Sequence, residues 1–222
     1  MDERATELLA ALRNTSLSVD AKIASLTKLK SEIKQKNVPT SAAGDIFDAI
    51  RLAIASQHAS LSAGGFSALG HLLKRLYLQE QNGLIASQGR HTYSLLLEKL
   101  GDHKERVRAH ASQAFVDFWQ SAPTEVEHHV LEVALVGKSP RAKETSMMWL
   151  VKVCTCPLFI IYSCSLTFFL FLYTPADSYA MQMTKERGVL FRAHVPSLVV
   201  GLEDADSSVR ETAKAAVIEL FQ

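Results

Sequence analysis

Three sets of residues in this 222-residue chain are of types that do chemistry. Cys154, Cys156 and Cys164 are the first, since closely spaced thiolates hold zinc or exchange disulfides. Their pattern fits neither role: Cys154-x-Cys156 has the wrong spacing for a zinc knuckle, and Cys164 lies in an apolar run without His or acidic partners. The eight histidines are the second set. His128 and His129 are adjacent, so a helix sends them to different sides, and His103 and His110 have no third ligand. The third is Gly64-Gly65 in SAGGFSALG, which sits within a helical pattern and reads as close helix packing rather than a phosphate loop. No serine elbow or nucleophilic cysteine with a positioned base occurs in the sequence. The expectation is a chain with no catalytic residue, no metal site and no cofactor.

The elements that carry these residues are helical. Outside one stretch, apolar residues recur at helical spacing and Ala, Leu, Glu, Lys and Gln are frequent, which predicts an all-α chain. Helices are predicted over Asp2–Arg13, Val19–Gln35, Ser41–Ala55, Ser60–Glu80, Ser87–Leu100, Glu105–Ser121, Glu125–Val136, Arg141–Lys152, Phe191–Leu202 and Ser208–Phe221. Short connections such as NTSLS, GDHKE, GKSP and EDADS favour antiparallel neighbours. The start MDERATELLAALRN has no apolar core after a basic segment and does not read as a secretory signal. With 24 basic against 23 acidic side chains there is no global bias toward nucleic acid, so a charged binding surface must be local. Cysteines confined to one window fit a reducing compartment.

The helices repeat. LGDHKERVRAHASQAFVDF, from Leu100, and LEDADSSVRETAKAAVIEL, from Leu202, share the frame L-x-D-x-x-x-x-V-R-x-x-A-x-x-A. A weaker copy is AKETSMMWL, in which Ala142, Lys143 and Ser146 take the places of Val107, Arg108 and Ala111. Small residues let helices approach closely, and the frame's Asp and Arg (Asp102 with Arg108, Asp204 with Arg210) are expected to form a structural ladder that hydrogen-bonds across the stack. This is the pattern of an α-solenoid of antiparallel helical hairpins, none of which buries its own face alone.

The spacing isolates one anomaly. From Val107 to Ala142 is 35 residues, but from Ala142 to Val209 is 67; without the 30 residues of Val153–Gln182 the second interval is 37. That stretch, VCTCPLFIIYSCSLTFFLFLYTPADSYAMQ, has no charged residue before Asp177. A membrane span over residues 153–176 is long enough, yet it would place two parts of one solenoid on opposite sides of a bilayer. An insertion loop is a second reading. The favoured one is a translated intron: Val153-Cys154 can be encoded GTATGT, Ala176-Asp177 GCTGAC and Gln182 CAG, which resemble donor, branch-point and acceptor sequences. The expected organisation is therefore repeats 1–4 over residues 1–152, an anomalous insertion over 153–182 and repeat 5 over 183–222.

The segments KSEIKQKNVP, IFDAIRLAIASQHASLSAGGFSALGHLLKRLYLQEQ, LGDHKERVRAHASQAFVDFW, VGKSPRAKETSMMWL and VPSLVVGLEDADSSVRETAKAAVIELF resemble the N-terminal TOG-type domain of the CLASP family of microtubule-stabilising proteins, in its filamentous-fungal form. The resemblance covers the chain except for Val153–Gln182. It implies a TOG-like stack of HEAT hairpins with one edge of loops facing tubulin. It further implies no catalysis, a cytoskeletal, spindle, cytoplasmic and nuclear setting, tubulin or microtubules as partner, and kinetochore or spindle proteins as further partners; neither nucleic acid nor membrane is expected. The family continues beyond VIELFQ, so the last helix is expected to expose an apolar face.

On this reading Lys104, Arg106, Lys138, Arg141 and Lys143 lie on two loops expected to be neighbours and are the candidate tubulin- or partner-binding residues. Such a rim can steer an acidic partner, and it can also be plain solvated surface. The run Lys28, Lys30, Lys34 and Lys36 reads as a solvated helix face, and Trp119 and Trp149 as core residues, with packing of Trp149 expected to be disturbed by the insertion. The alternatives are a HEAT scaffold for another protein and a membrane-anchored protein.

Overall fold

The computed structural model describes residues 1–155 and 191–221, so most of the anomalous Val153–Gln182 stretch, including the candidate span and the intron reading, lies outside the described residues. The described chain is helical and has no strand among the described residues. It divides into two compact units, residues 1–130 and 131–222.

The first unit contains α1 (Asp2–Arg13), α2 (Val19–Gln35), α3 (Thr40–Ala55), α4 (Ala59–Leu78), α5 (Asn82–Leu100), α6 (Glu105–Trp119) and α7 (Pro123–Glu127). Consecutive helices pair as hairpins, α1 with α2, α3 with α4 and α5 with α6. The hairpins stack so that α1, α3 and α5 share one layer and α2, α4 and α6 the other. This is the solenoid arrangement that the repeats require. The centre is α3, whose Ala42, Ala43, Ile46, Phe47, Ala49, Ile50, Ala53 and Ile54 are all buried. Each large side chain among them contributes about 1.5–3 kcal/mol of apolar burial.

Local chemistry sets the helix ends. Ser18 caps α2 by accepting the Ala21 N–H at 3.3 Å, with Asp20 in the first turn. At its other end the Arg75 guanidinium donates to the Ile33 carbonyl at 3.1 Å and to that of Lys34, so α4 satisfies carbonyls that α2 leaves open. Gln79 clamps Val38 from both sides: its amide oxygen accepts the Val38 N–H at 2.9 Å and its amide nitrogen donates to the Val38 carbonyl at 3.1 Å. Gly65 marks the tightest helix approach here, because a Cβ there would stand 2.9 Å from both the backbone nitrogen and Cγ1 of Ile54. The close-packing reading of Gly64-Gly65 thus has a geometric basis.

α5 begins at Asn82, five residues before the predicted Ser87. The turn is absorbed at Glu80, whose φ of 57° is left-handed, and Gly83 is tolerated in the first helical turn. The predicted helix Glu125–Val136 is instead the short α7 followed by a π-helical segment, His128–Ala134. The His129 ring nitrogen Nδ1 lies 2.7 Å from the Glu125 carbonyl and competes for the acceptor of a regular helix turn. That ring packs on Tyr93 at 4.7 Å between centroids, and Tyr93 also meets Phe115 and Phe118. Trp119 is buried and donates to Glu127 at 2.8 Å.

The second unit contains α8 (Pro140–Thr155), α9 (Phe191–Leu202) and α10 (Ser207–Phe221), with α10 packed on both others. The alanines of the repeat frame are core residues: Ala213 and Ala216 here, Ala111 and Ala114 on α6, with buried Ser146 at the equivalent place on α8. Gly201 brings α9 close to its neighbours, since a Cβ would meet Met147 Cε at 2.5 Å and Ala213 Cβ at 3.2 Å. Trp149 is fully packed at 1% exposure, contrary to the expectation that the adjacent insertion disturbs it. Ile218 on α10 is exposed, as are Val199 and Val200 on α9.

Candidate partner-binding loops

Two loops share one construction, the α5–α6 loop in the first unit and the α9–α10 loop in the second. In the first, Asp102 accepts the Lys104 backbone N–H at 2.8 Å on its carboxylate, and Arg108 donates to the carbonyls of Asp102 and His103 at 2.9 and 3.2 Å. In the second, Asp204 accepts the Asp206 N–H at 3.0 Å, and Arg210 donates to the carbonyls of Asp204 and Ala205 at 2.7 and 3.0 Å. The Asp closes a short turn with its side chain. The Arg, six residues on, reaches back one helical turn to bind the carbonyls that the turn turns outward.

These bonds revise the ladder geometry. Each Arg clasps the main chain of its own loop rather than a neighbouring repeat's carboxylate. The bond across repeats in the second unit is made by Lys143 on α8, whose ammonium donates to the Asp204 carboxylate. Hydrogen bonding from Lys143 and then from the Asp206 N–H holds the Asp204 carboxyl below its ordinary value. Glu144 accepts the Ser208 hydroxyl nearby, a second tie from α8 to the start of α10.

The five candidate cations consequently separate. Lys143 is 21% exposed and committed to Asp204 within its unit. Lys104 and Arg106 in the first unit, and Lys138 and Arg141 in the second, are exposed, and their side chains form no ion pair among the described residues. His103 meets Asp102 at 3.3 Å. Arg106 is the charge that, after burial, holds His110 below the ordinary imidazole value. His110 stacks on Phe66 at 5.5 Å, and no group of three or more His, Cys, Asp or Glu side chains that could hold a metal occurs among the described residues. No helix among the described residues is long and apolar enough to cross a membrane.

Residues that the sequence reading passed over include Ser139, whose hydroxyl accepts the Ala142 N–H at 3.4 Å at the start of α8, and Arg75 and Gln79, which tie α4 to the α2–α3 connection. The Ser-Pro sequence at 139–140 signals such a cap; the other two depend on partners about forty residues away.

The model of the CLASP N-terminal family matches residues 1–156 and 163–222. The chain belongs to this family. It is similar to Protein STU1 of Coccidioides immitis, with 60% identity over 222 residues that cover all of this chain and 15% of that protein. It is also similar to Protein stu-1 of Neurospora crassa, with 41% identity over 221 residues covering all of this chain and 17% of that protein. The chain thus spans about a sixth of the length of these relatives. Among solved structures it resembles the MAST/Orbit N-terminal domain, with a TM-score of 0.72 and 14% identity over all of this chain and 83% of that one. The CEP104 TOG domain superposes with a TM-score of 0.63 and 14% identity, covering 99% of this chain and 82% of that one. These likenesses place the fold among the TOG-type helical solenoids.

Proposed function

We propose that this chain is a non-catalytic microtubule-binding module that docks the acidic surface of tubulin through the basic side chains of its inter-helix loops. The observation that carries the reading is the division among the cations: Lys104, Arg106, Lys138 and Arg141 stay exposed and without an ion pair among the described residues, whereas Lys143 is tied to Asp204, and the loop of Lys104 and Arg106 is held by internal bonds from Asp102 and Arg108. A loop fastened in this way loses little conformational freedom on binding, and exposed cations on either loop accelerate encounter with an acidic partner. Membership of the CLASP N-terminal family supports the choice of partner, as does likeness to a TOG-domain structure described as regulating microtubules in the primary cilium.

In the longer protein the same docking would stabilise dynamic microtubules and support the mitotic spindle, with kinetochore or spindle proteins as further partners. Co-sedimentation with taxol-stabilised microtubules tests the reading. Wild-type chain should pellet with the polymer and the K104E R106E K138E R141E variant should stay in the supernatant at unchanged thermal stability. Equal pelleting of the two would overturn it.

A further inference from the structure

Among the described residues a single Ser/Thr-Pro dipeptide occurs, Ser139-Pro140. It lies on the turn between the π-helical segment and α8, and Lys138, Ser139, Pro140 and Arg141 are all exposed. Few bonds hold this turn. The Gly137 N–H donates to the Ala134 carbonyl at 3.3 Å, the Ser139 hydroxyl accepts from Ala142 N–H at 3.4 Å, and the Ser139 carbonyl accepts from Lys143 N–H at 3.1 Å. Breaking the last two loosens the chain around Ser139 at the exposed start of α8, and fraying at such an element end costs little.

The surrounding residue types narrow what would use that hydroxyl. Pro140 has no N–H and a fixed φ, so an enzyme that grips an extended peptide by a main-chain donor after the acceptor is excluded and one that selects proline there is favoured. Lys138 and Arg141 give the peptide exposed cations one residue before and two after the acceptor. We propose that Ser139 is a phosphorylation site for a proline-directed serine/threonine kinase, and that its phosphate weakens docking of an acidic partner on this loop. The second half rests on the function proposed above. In the transfer, Ser139 Oγ attacks the γ-phosphorus of ATP and loses its proton to the kinase's base, while the bond from that phosphorus to the bridging oxygen breaks and ADP leaves.

The product places about two negative charges beside Lys138 and Arg141, which are unpaired in the unmodified chain. The phosphate takes both as partners and leaves the loop without net positive charge toward an acidic surface. From the magnitude of exposed charge pairs, affinity for microtubules should fall on the order of five- to tenfold at low salt, and less at high salt.

The test incubates the full chain with ATP and a purified proline-directed kinase, locates phosphate by tandem mass spectrometry, and compares microtubule co-sedimentation before and after. S139N serves as control, because asparagine keeps a capping acceptor but takes no phosphate. Phosphate on Ser139, weakened sedimentation of that form, and sedimentation of kinase-treated S139N equal to its untreated form are expected. Absence of phosphate at Ser139 after exhaustive incubation overturns the assignment, and unchanged sedimentation of the Ser139-phosphorylated chain overturns the regulatory role. Unmodified chain that fails to sediment overturns the microtubule reading and the regulatory role with it, while the mass spectrum still decides the acceptor.

Discussion

Replacing Gly65 with alanine tests how closely the α3–α4 hairpin is packed. A Cβ at this position would stand 2.9 Å from the Ile54 backbone nitrogen and 3.1 Å from the Ala53 Cβ. The Ile54 nitrogen is main chain in the last turn of α3 and cannot swing aside as a side-chain end could. Overpacking of this kind costs about 1–3 kcal/mol. Exchange of glycine for alanine within a helix returns about 0.5–1 kcal/mol. The net is a loss of about 1–2 kcal/mol, or roughly 3–6 °C in Tm for a chain of this size. Gly44, on the neighbouring α3, has nothing within 4 Å of its Cβ position and supplies the matching control. Gly44→Ala should gain about 0.5–1 kcal/mol, raising Tm by roughly 2 °C. Thermal unfolding followed by far-UV circular dichroism, with urea midpoints alongside, reads both. A Gly65→Ala chain as stable as wild type, or a Gly44→Ala chain less stable, would refute the packing argument.

Other perturbations follow from the loops and from two half-buried histidines. Arg210→Ala removes the clasp on the Asp204 and Ala205 carbonyls and should cost about 1–2 kcal/mol while accelerating amide hydrogen exchange in the α9–α10 loop; unchanged exchange there would show that the clasp does not hold the loop. Burial, then Lys34, Lys30 and Lys74, hold His71 below the ordinary imidazole value, and burial, then Arg106, does so for His110. The unfolded chain therefore binds protons that the folded chain refuses, so their contribution is fully present above a pH of about 6.5 and is lost as pH falls through that value toward the depressed native values. Urea midpoints should drop between about pH 7.5 and 5.5 and drop less in H71Q H110Q; equal drops would contradict the assignment. Sequencing of the transcript across codons 153–182 should find a message lacking those codons, and an unspliced message alone would contradict the intron reading.

The sequence disclosed the fold where its signals were local. The bounds of α1 and α2 follow from apolar period and from the Ser18 cap, and the V-R-x-x-A frame identifies Ala111 and Ala213 as core because helical stacking needs small residues there. Its silence falls where a distant contact decides. Nothing near His129 announces that its ring will seek the Glu125 carbonyl while packing on Tyr93, so the π-helical segment was not expected. The early start of α5 was hidden by Gly83, which reads as a breaker although the turn is made at Glu80. Of the candidate site, composition and loop position marked five cations alike. Only the partner sixty-one residues away on Asp204 separates Lys143, a tie within the second unit, from Lys138 and Arg141, which remain available.

That separation between clasped and free cations is the central claim, and equilibrium binding to tubulin tests it most directly. Fluorescence anisotropy with labelled αβ-tubulin should give K104E R106E and K138E R141E chains of wild-type Tm whose affinity falls on the order of five- to tenfold per loop at low salt, with the loss shrinking as salt rises. Wild-type affinity in both double variants would contradict the account.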